Sequence, residues 1–220
     1  MVLSSTYAMS SQPEPKAEQL DPENKLLYRM PVQRLEAESI RDAILAVAGS
    51  LNRKTLGPSI TPHISAYQDG RGKPESGPLD GMGRRSIYIQ VRRNFLTPMF
   101  LAFDYPLPIS AIGRRSVSTV PSQALMLMNN EFVARQAEAW AQRLLQRETV
   151  PEQLVRTMFV SAFGRSATEK EIRDTLDFAR DQSAKHAAIA TGASGSEIRE
   201  RVWADVAHVL FNSAEFIYVR

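Results

Sequence analysis

The 220-residue sequence contains no cysteine. Disulfide frameworks, thiolate metal sites, a cysteine nucleophile and CxxCH haem attachment are therefore all excluded. Histidine is nearly as scarce. His63, His186 and His208 lie far apart in no HxxxH or HExxH arrangement, so a histidine metal site has no support. No run approaches the roughly 18 apolar residues that a spanning helix needs. There is no GxSxG elbow, and hydroxyl-rich stretches such as Ser116-Val117-Ser118-Thr119 lack a neighbouring base. The glycines of Asp69–Gly72 and Asp80–Gly83 match neither a Walker nor a dinucleotide fingerprint and read as turns.

What is present is globular in kind: 43% hydrophobic and 23% charged residues, in a chain of 24.6 kDa. Wholesale disorder and a collagen-like fibre are excluded, and the length suits one domain with a real core. Met1–Tyr7 carries no basic leader and no apolar h-region. The chain opens in a short apolar, hydroxyl-rich segment rather than at a clean element start, which is the expectation for a fragment of something longer.

Pattern divides the chain. Residues 10–24, broken by Pro13, Pro15 and Pro22, read as an exposed linker. A first helix is expected to follow Pro31, with Val32, Leu35, Ile40, Ala43, Ile44 and Val47 on its buried face, Arg34, Glu38, Arg41 and Asp42 largely between them, and Gly49 as its stop. Residues 49–83 hold seven of the eleven glycines and four prolines, and form a long aperiodic loop of the kind that is often functional or mobile. Ser86–Val91 predicts one short strand, with Ile87, Ile89 and Val91 sharing a face. Residues 94–108 read as packed irregular chain.

Residues 121–220 predict a helical bundle. One helix begins near Pro121 and runs through Leu125, Met128, Phe132, Trp140 and Leu144. Capping-box pairs Thr149/Glu152, Thr168/Glu171 and Ser194/Glu197 open the three that follow. The fold class expected is mainly α: a helical bundle with a long Gly/Pro-rich irregular segment and one short β element, all within a single domain over 1–220.

Charge supplies the candidate site. The formal net charge is only +3, with a pI near 9.3. Yet Arg84, Arg85, Arg92, Arg93, Arg114 and Arg115 fall in one window against a single acid, Asp104. Arginine suits bidentate contact with carboxylate, phosphate or sulfate. Two readings compete. Each doublet either packs one arginine inward and leaves one in solvent, or all converge to hold an anionic ligand such as a sulfated sugar, a phosphate or a nucleic-acid backbone. Nucleic acid is disfavoured, because acids dot every predicted helix and no helix bears a one-sided basic stripe. Asp104 is expected to neutralise one or two of these arginines, or else to act with His63 as an acid–base group. His208 reads as a core or boundary histidine, and His186 as complementing a helix C-terminus.

Several segments, in order, resemble one family. They are Arg34–Ala43 (RLEAESIRDA), Arg84–Asn94 (RRSIYIQVRRN), Phe103–Pro106 with Arg114–Leu125 (FDYP, RRSVSTVPSQAL), Phe163–Arg165 with Thr168–Glu171, and Asn212–Val219. Together they are similar to the planctomycete-specific domain of unknown function 1553. That resemblance implies the C-terminal part of a larger protein, periplasmic or otherwise exported, that also carries a cytochrome c-like haem domain. Any haem would then sit on another domain, so no cofactor is implied here, and the family offers no active site to transfer. The function expected is an accessory module that binds other domains or a sulfated or anionic polysaccharide. The alternatives are part of a hydrolase acting on anionic saccharides and, third, nucleic-acid binding.

Overall fold

A computed structural model describes residues 3–5, 7–109, 111–189 and 192–219. The protein is mainly helical. In chain order the elements are α1 (Pro15–Leu20), β1 (Gln33–Arg34), α2 (Ala37–Ala48), α3 (Pro98–Ala102), α4 (Pro121–Asn129), α5 (Glu131–Leu145), α6 (Pro151–Phe163), α7 (Glu169–Ile189), α8 (Gly195–Phe211), α9 (Ala214–Ile217) and β2 (Tyr218–Val219). Proline opens α1, α3, α4 and α6, where its missing N–H costs nothing. Gly49 and Gly164 close α2 and α6 in the left-handed region, at φ +80° and +70°.

The core is centred on α5 and α8, the most extensive helix pair. Trp140 of α5 is fully buried and stacks on Phe211 of α8 at 5.1 Å, and Phe216 meets Phe211 edge-on at the same spacing. α7 lies along the other side of α8, and α2 crosses α5. Arg143 of α5 fastens that crossing, donating to the last carbonyls of α2 at Ala48 (3.0 Å) and Val47 (2.5 Å). A cation at a helix C-terminus also complements its dipole.

Four local expectations are corrected. The helix expected after Pro31 is α2 and starts only at Ala37, because Gln33 and Arg34 pair antiparallel with Val219 and Tyr218, and Leu35 donates to the Ile217 carbonyl at 2.8 Å. That pairing, not Ser86–Val91, is the short β element. The helix expected across 121–144 is two helices, since the Asn130 side chain accepts from the Phe132 N–H at 2.9 Å and caps α5 afresh. The Thr149/Glu152 box does not form. Pro151 takes the first helical position, which makes Val150 the N-cap. The boxes at Thr168/Glu171 and Ser194/Glu197 do form.

The fourth correction concerns Ser86–Val91. Ser86–Tyr88 is a 3-10 turn, and Ile87 and Val91 are exposed. The cause lies on α2. Asp42 accepts from the Ser86 N–H (2.8 Å) and hydroxyl (2.7 Å), while Arg41 donates to the Arg84 carbonyl (2.9 Å) and the Ser86 hydroxyl (3.1 Å). Side chains thus take the backbone groups that a strand partner would need. Only Ile89 keeps a ladder contact, a parallel bridge to Ile60.

The same hand of bonds organises the Gly/Pro-rich stretch. Arg41 reaches the Asp80 carbonyl at 2.6 Å, and Asn52 N–H donates to the Gly83 carbonyl at 2.8 Å. Gly83 needs to be glycine twice over: its φ is +68°, and a Cβ there would lie 2.1 Å from the Ser50 carbonyl oxygen. Gly72 has φ +79° with open space around it. Gly72→Ala is therefore expected to lower unfolding free energy by about 1 kcal/mol from backbone strain alone. Gly83→Ala should lose about 3 kcal/mol through the added clash. Urea denaturation of the two variants checks the difference, and equal losses would contradict it.

A second arginine locks the α6–α7 corner to α9. Arg165 donates to both oxygens of Glu171 (3.0 and 2.6 Å) and of Glu215 (2.6 and 2.7 Å), beside the rings of Phe159 and Phe163. Its hydrogen bonds, against a smaller opposing effect of burial, hold the Glu171 carboxyl down from 4.5 to about 2. A carboxyl held low in the folded state stabilises it fully above its unfolded pKa, and that contribution fades as pH falls from about 4.5 towards 2. Glu171→Gln is expected to be less stable than the parent at pH 6 and to lose less over that acid range, as read from urea midpoints against pH. Parallel pH profiles for the two proteins would contradict it.

Candidate functional site

The structure separates the six window arginines into two groups. Arg84, Arg85 and Arg115 are engaged. Arg84 is buried, donates to the carbonyls of Leu56 (2.6 Å) and Pro58 (3.2 Å), and lies 3.9 Å over the Tyr88 ring. The Tyr88 hydroxyl in turn accepts from Leu56 N–H at 2.8 Å, so the two side chains clamp one bend of the Gly/Pro-rich stretch. Arg85 sits 3.7 Å from Asp42. Arg115 makes a two-pronged contact with Glu38 (both 2.9 Å), reaches Glu36 at 3.1 Å and lies over Tyr105. The Glu38 hydrogen bond is the chief cause raising the Arg115 pKa, so its charge is fixed.

Arg92, Arg93 and Arg114 are exposed and form no ion pair among the described residues. Arg92 meets only a neutral partner, the Gln90 side-chain oxygen at 3.1 Å. Arg93 and Arg114 make no side-chain hydrogen bond among the described residues, and Arg92 keeps its two terminal nitrogens for a ligand.

Asp104 neutralises none of the window arginines. It accepts from Arg34 (2.7 Å), from the Ser118 N–H (2.8 Å) and from the Ser118 hydroxyl (2.9 Å), and it holds a left-handed backbone at φ +60°. Burial acts to raise its carboxyl, but the Ser118 bonds and the Arg34 charge outweigh burial and hold it below the usual range. Three structural donors, from Arg34 and Ser118, hold it as a carboxylate, which suits a fixed charge better than a proton shuttle.

His63 is elsewhere. Its Nδ1 lies 3.2 Å from the Gly77 carbonyl oxygen, and the ring lines a cleft of about 570 Å³ that Asp104 does not line. The cleft opens between the Gly/Pro-rich stretch, the start of α3 and the α4–α5 corner. Arg41, Met99, Leu125, Met126 and Phe132 form much of the rest of its wall. None of the six window arginines borders it. His186 bonds Asp205 of α8 at 2.7 Å, and His208 sits half-buried 3.2 Å from the Leu127 carbonyl oxygen. Among the described residues no three His, Cys, Asp or Glu side chains come together as a metal site, and no helix is long and apolar enough to cross a membrane.

Arg41 is the residue that sequence reading misplaced, since it was set between the apolar positions. The buried stripe of α2 is 37, 40, 41, 44, 45 and 48. Arg41 lies inside that helical period, and the signal was the spacing itself. Burial lowers its pKa against the opposing pull of Asp42 and Asp80. The guanidinium lies 5.3 Å from the Phe132 ring centroid.

Taken together, fold and site define a helical domain whose irregular flank is held by buried arginines, with three exposed arginines in the same stretch of sequence and an apolar cleft beside His63. The chain belongs to the family described as PSD1, protein of unknown function (DUF1553), whose match covers residues 1–179. The match ends within α7, so the resemblance seen at Asn212–Val219 lies outside the matched residues. No curated protein and no solved structure matches the chain.

The Arg34 side chain is 3% exposed, and Asp104 is its acidic partner. Asn tolerates the left-handed backbone at this position, so Asp104→Asn isolates the charge. The variant is expected to lose about 3 kcal/mol of stability, because it strands a buried guanidinium. Urea denaturation measures this, and a loss below about 0.5 kcal/mol, the level of an ordinary surface change, would contradict it.

Proposed function

We propose that this chain is a non-catalytic accessory module that binds an anionic ligand, of the sulfated or acidic polysaccharide class, through Arg92, Arg93 and Arg114. The observation that carries the reading is their exposure without carboxylate partners, in a stretch whose one acid is committed to Arg34. The family resemblance adds the setting: the C-terminal part of an exported planctomycete protein, beside a cytochrome c-like haem domain that would hold the cofactor. Other domains of such a protein are the second class of partner.

A hydrolase acting on anionic saccharides is the weaker alternative. Asp104 is engaged by Arg34 and Ser118, and His63 stands in a separate cleft without it. Nucleic acid ranks below both, since acids are interspersed along every long helix.

Salt elution from heparin and dextran sulfate tests the reading. The native protein should be retained at low ionic strength, and the triple variant Arg92→Ser, Arg93→Ser, Arg114→Ser should elute at clearly lower salt. A control of equal charge change, Arg53→Ser with Arg147→Ser and Arg173→Ser, should shift elution much less. Flow-through of the native protein, or equal shifts in both triples, would overturn the reading.

A further inference from the structure

The cleft beside His63 is independent of the arginine group. Its volume, about 570 Å³, falls in the range of small-ligand sites, which are mostly apolar with a few placed polar groups. Some of the polar side chains around it are committed, while the hydroxyls of Ser65, Tyr67, Thr97 and Ser122 have no side-chain hydrogen bond among the described residues. Arg41 donates to the Asp80 and Arg84 carbonyls and to Ser86. The Asn130 side-chain oxygen caps α5, the Asn129 amide donates to the Leu125 carbonyl, and a Glu131 oxygen receives Arg135.

His63 Nδ1 lies 3.2 Å from the Gly77 carbonyl oxygen and 3.3 Å from the Ser76 hydroxyl, which is itself within reach of the Ile64 and Gly77 carbonyls. The carbonyl can only accept, so in the neutral tautomer that satisfies it Nδ1 carries the proton and the Ser76 hydroxyl donates to a carbonyl. Nε2 then bears a lone pair, and it has no partner among the described residues. The opposing wall combines two thioethers, Met99 and Met126, with Leu125, Phe132 and the desolvated Arg41 cation. Thioethers and a desolvated cation both favour an aromatic ring over an aliphatic group.

We propose that this cleft binds a phenolic ring, its hydroxyl donating to His63 Nε2 and its face packed against Met99, Met126 and Leu125. The phenol is carried either by a free small molecule or by a tyrosine side chain. The two sources share one chemistry and are separated by the probe.

The test is amide-shift titration of the ¹⁵N-labelled protein with p-cresol, N-acetyltyrosinamide and toluene. p-Cresol should shift resonances of residues 63–67, 97–99 and 122–132, and bind at least about tenfold more tightly than toluene, which lacks the hydroxyl. N-acetyltyrosinamide binding as well as p-cresol would assign the site to a tyrosine side chain, and binding of p-cresol alone would assign it to a free phenol. His63→Asn keeps a donor for the Gly77 carbonyl but removes the Nε2 acceptor, so p-cresol should bind it no better than toluene does. Leu125→Asp, at an exposed helix position that the fold does not need buried, should weaken all probes together. The proposal is overturned if no cleft resonance moves at millimolar probe, if p-cresol and toluene bind alike, or if His63→Asn leaves p-cresol affinity unchanged. None of these outcomes alters retention on heparin, so the two readings fail separately.

Discussion

A single pair of neighbouring side chains, Arg41 and Asp42 on α2, holds the irregular flank of this protein in place. Between them they engage the Asp80 and Arg84 carbonyls and the amide and hydroxyl of Ser86. Residues 49–91 contain no α-helix and no regular sheet, so their backbone groups need other partners. A charged, hydrogen-bonded pair on a rigid helix supplies them directionally, where apolar contact would give cohesion without a defined path. The two most characteristic segments of the sequence, RLEAESIRDA and RRSIYIQVRRN, thus form the two halves of one structural junction.

Much of the architecture was legible. The helical periods of the second half, the glycine stop after α2, and the Ser194/Glu197 cap all follow from local chemistry that tertiary contacts leave undisturbed. The strand at Ser86–Val91 was not legible. Its β-branched and aromatic composition is real, but Arg41 and Asp42, more than forty positions away, take the hydrogen bonds that a strand requires. Likewise Asn130 divides a continuous apolar period into α4 and α5, because a side chain competes with the next helical bond. The split among the window arginines could not be read from their clustering either. It depends on which carbonyls and carboxylates lie opposite, and these come from Leu56, Pro58, Asp42, Glu36 and Glu38.

The division of labour among the arginines gives the flank its chemical character. Arg84, Arg85 and Arg115 are engaged by carbonyls or carboxylates of the flank, whereas Arg92, Arg93 and Arg114 are exposed without a carboxylate partner among the described residues. Asp104 and Arg34 repeat the device at the segment before α4, again as structure. The cleft beside His63 lies between the Gly/Pro-rich stretch and the α4–α5 corner, with Arg41 of the same bracing part of its wall.

Hydrogen–deuterium exchange on Arg41→Met, which keeps most of the volume and removes the donors, tests this account most directly. Amides at Asn52, Ile60, Ser86 and Gln90 are expected to lose protection while α5 and α8 exchange as slowly as before. Unchanged protection across residues 49–91, or an equal loss throughout α5 and α8, would contradict it.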